Sequence, residues 1–110
     1  MSERNDYLIA EEILEAVEKI ETFTSGQNFE QFSNDAKTID AVLMNLILIG
    51  EVTARLSEEF KDSHSKIDWF RIRGLRNRVV HDYKGVNLEI IWNTINTEMK
   101  ELKDYLIKII

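Results

Sequence analysis

The sequence predicts an all-α protein, arranged as an up-and-down bundle of helices. The chain has 110 residues, no proline and only four glycines, so few positions interrupt a helix. Apolar residues recur at the 3.6-residue spacing of amphipathic helices through most of the chain. The predicted connections are short, which favours antiparallel neighbours. We therefore expect four main helices in a single domain spanning residues 1–110.

Helix boundaries are predicted from capping residues and glycines. Side chains that accept hydrogen bonds from backbone N–H groups mark helix starts, and glycine in the left-handed conformation marks helix ends. We expect helices from about residue 6 to 25, from 35 to 60, from 69 onward through the arginine-rich stretch, and from 88 to the C-terminal region. The expected caps are Asn5 or Asp6, Ser33 or Asn34, Asp68 and Asn87, and the expected breakers are Gly26 and Gly85.

The second helix carries more apolar surface than one neighbour can cover. Met44, Ile47 and Leu48 flank its periodic apolar face, so packing on a single partner helix would leave some of them in water. Two neighbouring helices, a second subunit or both could cover them. We favour both, because small helical proteins commonly form two-fold dimers.

Composition limits the possible functions. The net charge of −6 and the pI near 4.9 argue against a protein that coats nucleic acid through a basic surface. Residues 71–84 nevertheless contain five basic side chains and one acid, which predicts a local anion-binding site. Because the chain lacks cysteine, a leader pattern and a long apolar span, we expect no thiolate metal site, no membrane segment and a cytoplasmic location.

The stretch at residues 73–83 is the candidate functional site. Arg73, Asn77 and His81 are spaced four residues apart, so a helix would align them as one polar stripe. We expect the apolar residues of this helix to face the core, namely Leu75, Val79 and Val80. A histidine titrates near neutral pH and an arginine binds phosphate oxygens, so the pair suits cleavage of RNA, which carries its own 2′-hydroxyl nucleophile.

Helix geometry complicates a site made of Arg76 and His81. Five residues separate them, which places the two side chains ~140° apart around a regular helix. They could converge if the helix ends near Val80 or His81, or if a dimer joins two copies of the stretch. A purely structural alternative also exists, because surface arginines commonly form weak ion pairs with nearby acids.

Residues outside this stretch are interpreted structurally. His64 lies in a polar connection without a second histidine at ligand spacing, so we interpret it as solvated or as a hydrogen bonder that fixes the loop. Trp69 and Trp92 are expected in the core. No metal ligands or cofactor-binding residues are predicted.

Several separated motifs resemble one family. Residues 76–83 read Arg-Asn-Arg-Val-Val-His-Asp-Tyr, which resembles the R-x4-H-x-Y signature of the HepT-like toxins of the HEPN superfamily. Residues 49–51, 64–69 and 86–92 resemble the surrounding family pattern in order and spacing. Unlike many family members, the chain has no proline before the tryptophan at residue 69 or in its last helix, and Asp68 stands at the first of these positions.

The resemblance implies a four-to-five-helix bundle that forms a homodimer and acts as a metal-independent endoribonuclease toxin. Arg76 and His81 would be the catalytic pair and Asn77 the polar residue between them, while Arg73 and Arg78 would supply supporting charge. The implied partner is an antitoxin, a minimal nucleotidyltransferase that transfers AMP from ATP onto Tyr83. The alternative is a non-catalytic HEPN subunit that binds nucleotide or this partner without cutting RNA.

Overall fold

Helices account for most of the protein, and α3 lies at their centre. The structure, a computed structural model, describes residues 3–81 and 87–110. These residues contain no β-strand, and the predicted all-α bundle is confirmed. The helices are α1 (Glu3–Thr24), α2 (Phe29–Ser33), α3 (Ala36–Thr53), α4 (Glu58–Ser63), α5 (Trp69–Arg73), α6 (Leu75–His81), α7 (Leu88–Asn96) and α8 (Glu98–Ile109).

The core forms where α1 and the short helices α5 and α6 pack against α3. α8 packs on α1 and against α7, and α2 lies between α3 and α7. The largest fully buried side chains come from these elements, and apolar burial on this scale is the main favourable contribution to folding. They include Ile13, Ile20, Phe32, Leu46, Ile49, Leu75, Met99, Leu102 and Leu106.

Asp6 has a different role from the predicted cap of the first helix. α1 begins at Glu3, so Asn5 and Asp6 lie within it. The Asp6 carboxylate is buried and accepts hydrogen bonds from the backbone N–H and the hydroxyl of Ser57, at 2.9 and 2.7 Å. Ser57 Oγ in turn accepts from Phe60 N–H at 3.1 Å and caps α4. Asp6 therefore ties α1 to the start of α4.

The second helix is shorter than predicted. α3 ends at Thr53, and a separate helix, α4, begins after Ser57, whereas the prediction continued one helix to about Phe60. The Ser57 backbone is extended (φ −68°, ψ 155°), and its hydrogen bonds to Asp6 hold the chain out of the helical conformation. The break is therefore set by a residue far away in the sequence.

Other caps were mostly predicted correctly. Asp68 accepts from Arg71 N–H, and Asn87 accepts from the N–H groups of Glu89 and Ile90, so both are N-caps as expected. The cap of α3 is Asp35, which accepts from Thr38 N–H at 3.1 Å, so the prediction of Ser33 or Asn34 was wrong. Gly26 has φ 77° and follows α1 as predicted. Gly85 lies outside the described residues.

Two predicted helices are interrupted. The helix expected from residue 69 divides at Gly74 into α5 and α6. The last helix divides at Thr97 (φ −122°, ψ −74°), whose hydroxyl donates to the Asn93 carbonyl at 2.6 Å. Threonine hydroxyls that bond carbonyls four residues earlier compete with the helical hydrogen bonds and bend helices. None of the helices described is long and apolar enough to cross a membrane.

Candidate active site

A close contact between α3 and α6 positions the arginine-rich stretch. Leu75 and Val79 of α6 are each 2 % exposed and face the core, as predicted. Gly50 of α3 meets the start of α6, where an added Cβ would lie 2.8 Å from the backbone nitrogen of Arg76 and 3.0 Å from the Arg73 carbonyl oxygen. Only a residue without a side chain fits this approach. Gly50 thus allows the backbone of α6 to lie against α3.

Arg76 is held on both sides by polar neighbours. Its Nε lies 2.9 Å from Glu51 Oε1, and its Nη1 donates a hydrogen bond to Asn77 Oδ1 at 3.2 Å. The side chains of Arg76 and Glu51 are 49 % and 52 % exposed, so the guanidinium keeps access to solvent. The structure therefore brings Arg76 and Asn77 together and adds Glu51.

His81 lies on a different face of α6 from Arg76, because five positions separate the two residues. It is exposed and is the last residue of the helix, five positions after Arg76. Within residues 3–81 and 87–110, its imidazole makes no hydrogen bond or ion pair with another side chain. Val80 beside it is 47 % exposed, so the prediction that Val80 faces the core was wrong: α6 turns only Leu75 and Val79 inward.

The two supporting arginines, Arg78 and Arg73, differ in their ion-pair partners. Arg78 donates to the Arg71 carbonyl at 3.2 Å and lies 3.4 Å from Glu98 Oε2. Arg71 binds the other Glu98 oxygen at 3.1 Å, and a hydrogen bond to Glu98 raises the pKa of its guanidinium. Arg73 is exposed and, in the part of the chain that the structure describes, has no ion pair. Arg78 therefore links α6 to α8, and Arg73 keeps its charge available.

A shallow groove of about 370 Å³ runs between α3 and the pair α5–α6. Arg73, Arg76 and Asn77 line it from α5 and α6, and Glu51 lines it from α3. Arg73 and Arg76 outnumber the single acid, so the groove is locally positive on a protein of net charge −6. A surface of this kind can bind an anion such as a phosphodiester.

His64 lies outside the groove and fixes a loop, as one of its two interpretations predicted. Its Nδ1 is 2.6 Å from the Tyr105 hydroxyl, and its carbonyl accepts a hydrogen bond from Trp69 Nε1 at 2.9 Å. Its ring also packs on Phe60, with ring centroids 4.4 Å apart. Trp69 is buried, and Trp92 is half-buried against Phe32, in agreement with their expected core positions.

The groove also contains residues that had no predicted role, among them Glu51 and Phe70. Glu51 belonged to a motif shared with the resembling family, but its contact with Arg76 depends on how two helices pack. Phe70 is 88 % exposed and lines the groove. The exposure of Phe70 could have been predicted from the sequence. Trp69 and Ile72 are three residues apart and share the buried face of the helix, and Phe70 does not lie on that face.

Tyr83, the predicted modification site, lies outside the described residues. Among the residues that are described, no group of three or more histidine, cysteine, aspartate or glutamate side chains could hold a metal ion. Of the predicted site residues, Arg73, Arg76 and Asn77 line the groove together with Glu51, whereas His81 and Arg78 are not among its lining residues.

Comparisons with known proteins agree on one family. A family model described as Ribonuclease HepT-like matches residues 13–109. A protein of Caldanaerobacter subterraneus subsp. tengcongensis, provisionally named an RNase, is 40 % identical over 93 residues, covering 84 % of this chain and 83 % of its own. A protein of Thermococcus cleftensis, named a probable ribonuclease HepT, is 39 % identical over 98 residues, covering 89 % and 87 %. No solved structure gives a significant match.

Proposed function

Since the chain belongs to the HepT-like ribonuclease family, we propose that it is a metal-independent endoribonuclease toxin. It acts in the cytoplasm on RNA, at a cleft shared by two copies of the chain. A minimal nucleotidyltransferase antitoxin silences it by transferring AMP onto Tyr83. Arg76 and His81 are the catalytic pair, and Asn77, Arg73 and Arg78 support them.

The proposed reaction is an internal transfer at one phosphodiester of RNA. The His81 imidazole accepts the proton of the ribose 2′-hydroxyl, and O2′ attacks the adjacent phosphorus. The O2′–P bond forms while the P–O5′ bond breaks, which leaves a 2′,3′-cyclic phosphate. The departing 5′-oxygen takes a proton from solvent or from an imidazolium and becomes a 5′-hydroxyl. Arg76 stabilises the additional negative charge that develops on the phosphoryl oxygens.

The arrangement around Arg76 is the observation that carries this proposal. The Arg76 guanidinium is half exposed and contacts Glu51 and Asn77. It lines a positive groove on an otherwise acidic protein. His81 is exposed on the same helix. Because the two side chains leave α6 on different faces, we propose that the second subunit brings Arg76 of one copy near His81 of the other.

Cleavage of a labelled RNA tests the proposal. His81→Ala and Arg76→Ala should each abolish cleavage, because one removes the proton acceptor and the other the charge that stabilises the transition state. The matched control is Arg55→Ala, which removes an exposed arginine that does not line the groove and should leave cleavage unchanged. Circular dichroism should show unchanged helix content in all three variants.

The same assay can also contradict the ribonuclease proposal. Cleavage that survives both substitutions would show that Arg76 and His81 do not carry the reaction. Loss of cleavage in EDTA, restored by a divalent cation, would overturn the metal-independent mechanism. Binding of nucleotide or of the nucleotidyltransferase by the unmodified wild-type protein, with RNA left uncut, would favour the non-catalytic HEPN subunit.

A further inference from the structure

Phe70 is the most exposed of the large apolar side chains in the described part of the chain, at 88 %. Its neighbours Trp69 and Ile72 are 6 % and 4 % exposed, because α5 turns that face to the core. Successive residues of a helix point ~100° apart, so Phe70 projects away from the core. An aromatic ring left in water forgoes the stabilisation that burial would give it. Its position therefore leaves the aromatic face available to a ligand or partner.

On the side of the groove, the surroundings of Phe70 are cationic and polar. It shares the groove with Arg73, Arg76 and Asn77, all of which are exposed, and with Glu51. An apolar protein surface docked here would have to desolvate these charged groups around one phenyl ring, which is costly. A nucleic acid has the complementary chemistry, because its phosphates pair with arginines and its bases stack on aromatic rings.

Three of the residues that line the groove with Phe70 are small. The lining includes Gly50 of α3, Ala54 at the C-terminal end of α3, and Gly74 between α5 and α6. None of them has a side chain larger than a methyl group, so no long side chain from this part of the lining fills the groove beside Phe70. The volume of about 370 Å³ falls within the range of sites that hold small planar ligands.

We propose that Phe70 is a stacking platform for an unpaired RNA base, and that Arg73 and Arg76 bind the phosphates that flank this base. The inference rests on the proposed function and extends it, because it makes single-stranded RNA the form that the groove accepts. A base inside a duplex is already stacked on both faces and cannot lie on Phe70 without leaving its helix. Phe70 thus selects for RNA whose bases are free.

Binding of uncleavable oligonucleotides tests the proposal without depending on catalysis. The probes are a fluorescein-labelled single strand of 2′-deoxyuridines and an abasic strand of the same length, titrated with protein and followed by fluorescence anisotropy. Phe70→Ala should weaken binding of the base-containing strand by roughly 5- to 150-fold, the loss expected for one stacked base. Binding of the abasic strand should not change, because its phosphates contact the arginines alone.

Four further variants separate stacking from other roles. Phe70→Trp should retain affinity, whereas Phe70→Leu should bind as weakly as Phe70→Ala, because leucine is apolar but has no aromatic face. Phe23→Ala is the matched control, since Phe23 is 41 % exposed on α1 and does not line the groove. Arg73→Gln should weaken both strands and reduce the dependence of binding on salt.

Several results would overturn the proposal. These are no measurable binding of the base-containing strand by the wild type, an equal loss for both strands in Phe70→Ala, or full affinity in Phe70→Leu. A shift of Phe70→Ala from dimer to monomer in sedimentation would assign the ring to a protein contact instead.

The ribonuclease proposal and the stacking proposal can fail separately. If the wild type cleaves no RNA but Phe70→Ala shows the base-dependent loss of binding, the ribonuclease proposal fails and the stacking proposal stands. If the wild type cleaves RNA and Phe70→Ala binds both strands as tightly as the wild type does, the stacking proposal fails and the ribonuclease proposal stands.

Discussion

Glu51 of α3 and Arg76 of α6 form an ion pair, with 2.9 Å between Glu51 Oε1 and Arg76 Nε. Both side chains are about half exposed, and exposed pairs contribute only ~0–1 kcal/mol to stability. The contact therefore matters chiefly through the orientation that it gives the guanidinium. Glu51 occupies one edge of Arg76 and Asn77 another, which leaves the remaining donors available to a phosphate.

Glu51→Ala should slow RNA cleavage by roughly ten- to a hundred-fold, because a misplaced guanidinium stabilises the transition state less. Glu51→Gln keeps an acceptor near Arg76 and should lose less activity. Neither variant should lower the melting temperature by more than a few degrees. Faster cleavage by Glu51→Ala would instead show that the carboxylate competes with RNA for Arg76. Rates and melting curves of the same preparations distinguish these results.

Gly50→Ala should destabilise the protein by about 1–3 kcal/mol, the usual cost of overpacking a tight contact. The new methyl group would lie 2.8 Å from the Arg76 backbone nitrogen, so α6 must move away from α3. The control is Gly74→Ala, whose methyl group would lie 3.3 Å from the Arg71 carbonyl oxygen and which should change stability less. Urea denaturation measures both. Equal stability of Gly50→Ala and the wild type would contradict the close packing of these helices.

Met44→Glu should weaken the proposed homodimer. Met44 and Leu48 of α3 are 66 % and 37 % exposed, so this side of the helix still has apolar surface to cover. A buried carboxylate at position 44 should raise the dimer dissociation constant by about tenfold or more. Analytical ultracentrifugation measures it, with Leu8→Glu, at a 55 % exposed position on α1, as the control. Unchanged dimerisation of Met44→Glu would exclude this surface, and a monomeric wild type would exclude the dimer.

Tyr83→Phe should preserve RNA cleavage and abolish silencing by the nucleotidyltransferase. The phenol oxygen would be the acceptor of AMP, whose phosphate adds negative charge two residues from His81 and repels RNA. Mass spectrometry after incubation with ATP and the partner should show an added AMP on the wild type and none on Tyr83→Phe. Tyr105→Phe is the control that keeps Tyr83. An AMP adduct on Tyr83→Phe would place the modification elsewhere.

Asp35→Asn should destabilise the protein near neutral pH and have less effect in acid. Hydrogen bonds from the Thr38 hydroxyl, the Thr38 N–H and Gln27 lower the pKa of Asp35 below its usual value of 3.8. A carboxylate with a lowered pKa stabilises the folded state above its unfolded pKa, and this stabilisation is lost as the pH falls through the folded pKa. Melting temperatures from neutral pH to below 3.8 measure the difference from the wild type.

Asparagine still caps a helix, so Asp35→Asn removes the charge and leaves an acceptor for the Thr38 N–H. The matched control is Asp40→Asn, which removes an exposed carboxylate from the same helix without touching the cap. A difference between Asp35→Asn and the wild type that grows as the pH falls would contradict the predicted sign.

Local chemistry made much of the fold and part of the site predictable. The absence of proline and the helical spacing of apolar residues predicted the all-α class, and Asp68 and Asn87 act as caps through N–H groups two or three residues away. The arginine-rich stretch was also placed on a helix, which α6 confirms. These features depend on residues that are neighbours in the chain.

Only the tertiary structure decided the features that join distant residues. Asp6 fixes the start of α4 through Ser57, and Glu51 orients Arg76 across two helices. Phe70 is exposed because Trp69 and Ile72 take the core-facing positions of α5. By itself, the sequence determined which residues favour helices and where cationic groups cluster. Helix packing decided which of those groups meet, because such contacts depend on the relative placement of whole elements rather than on local preference.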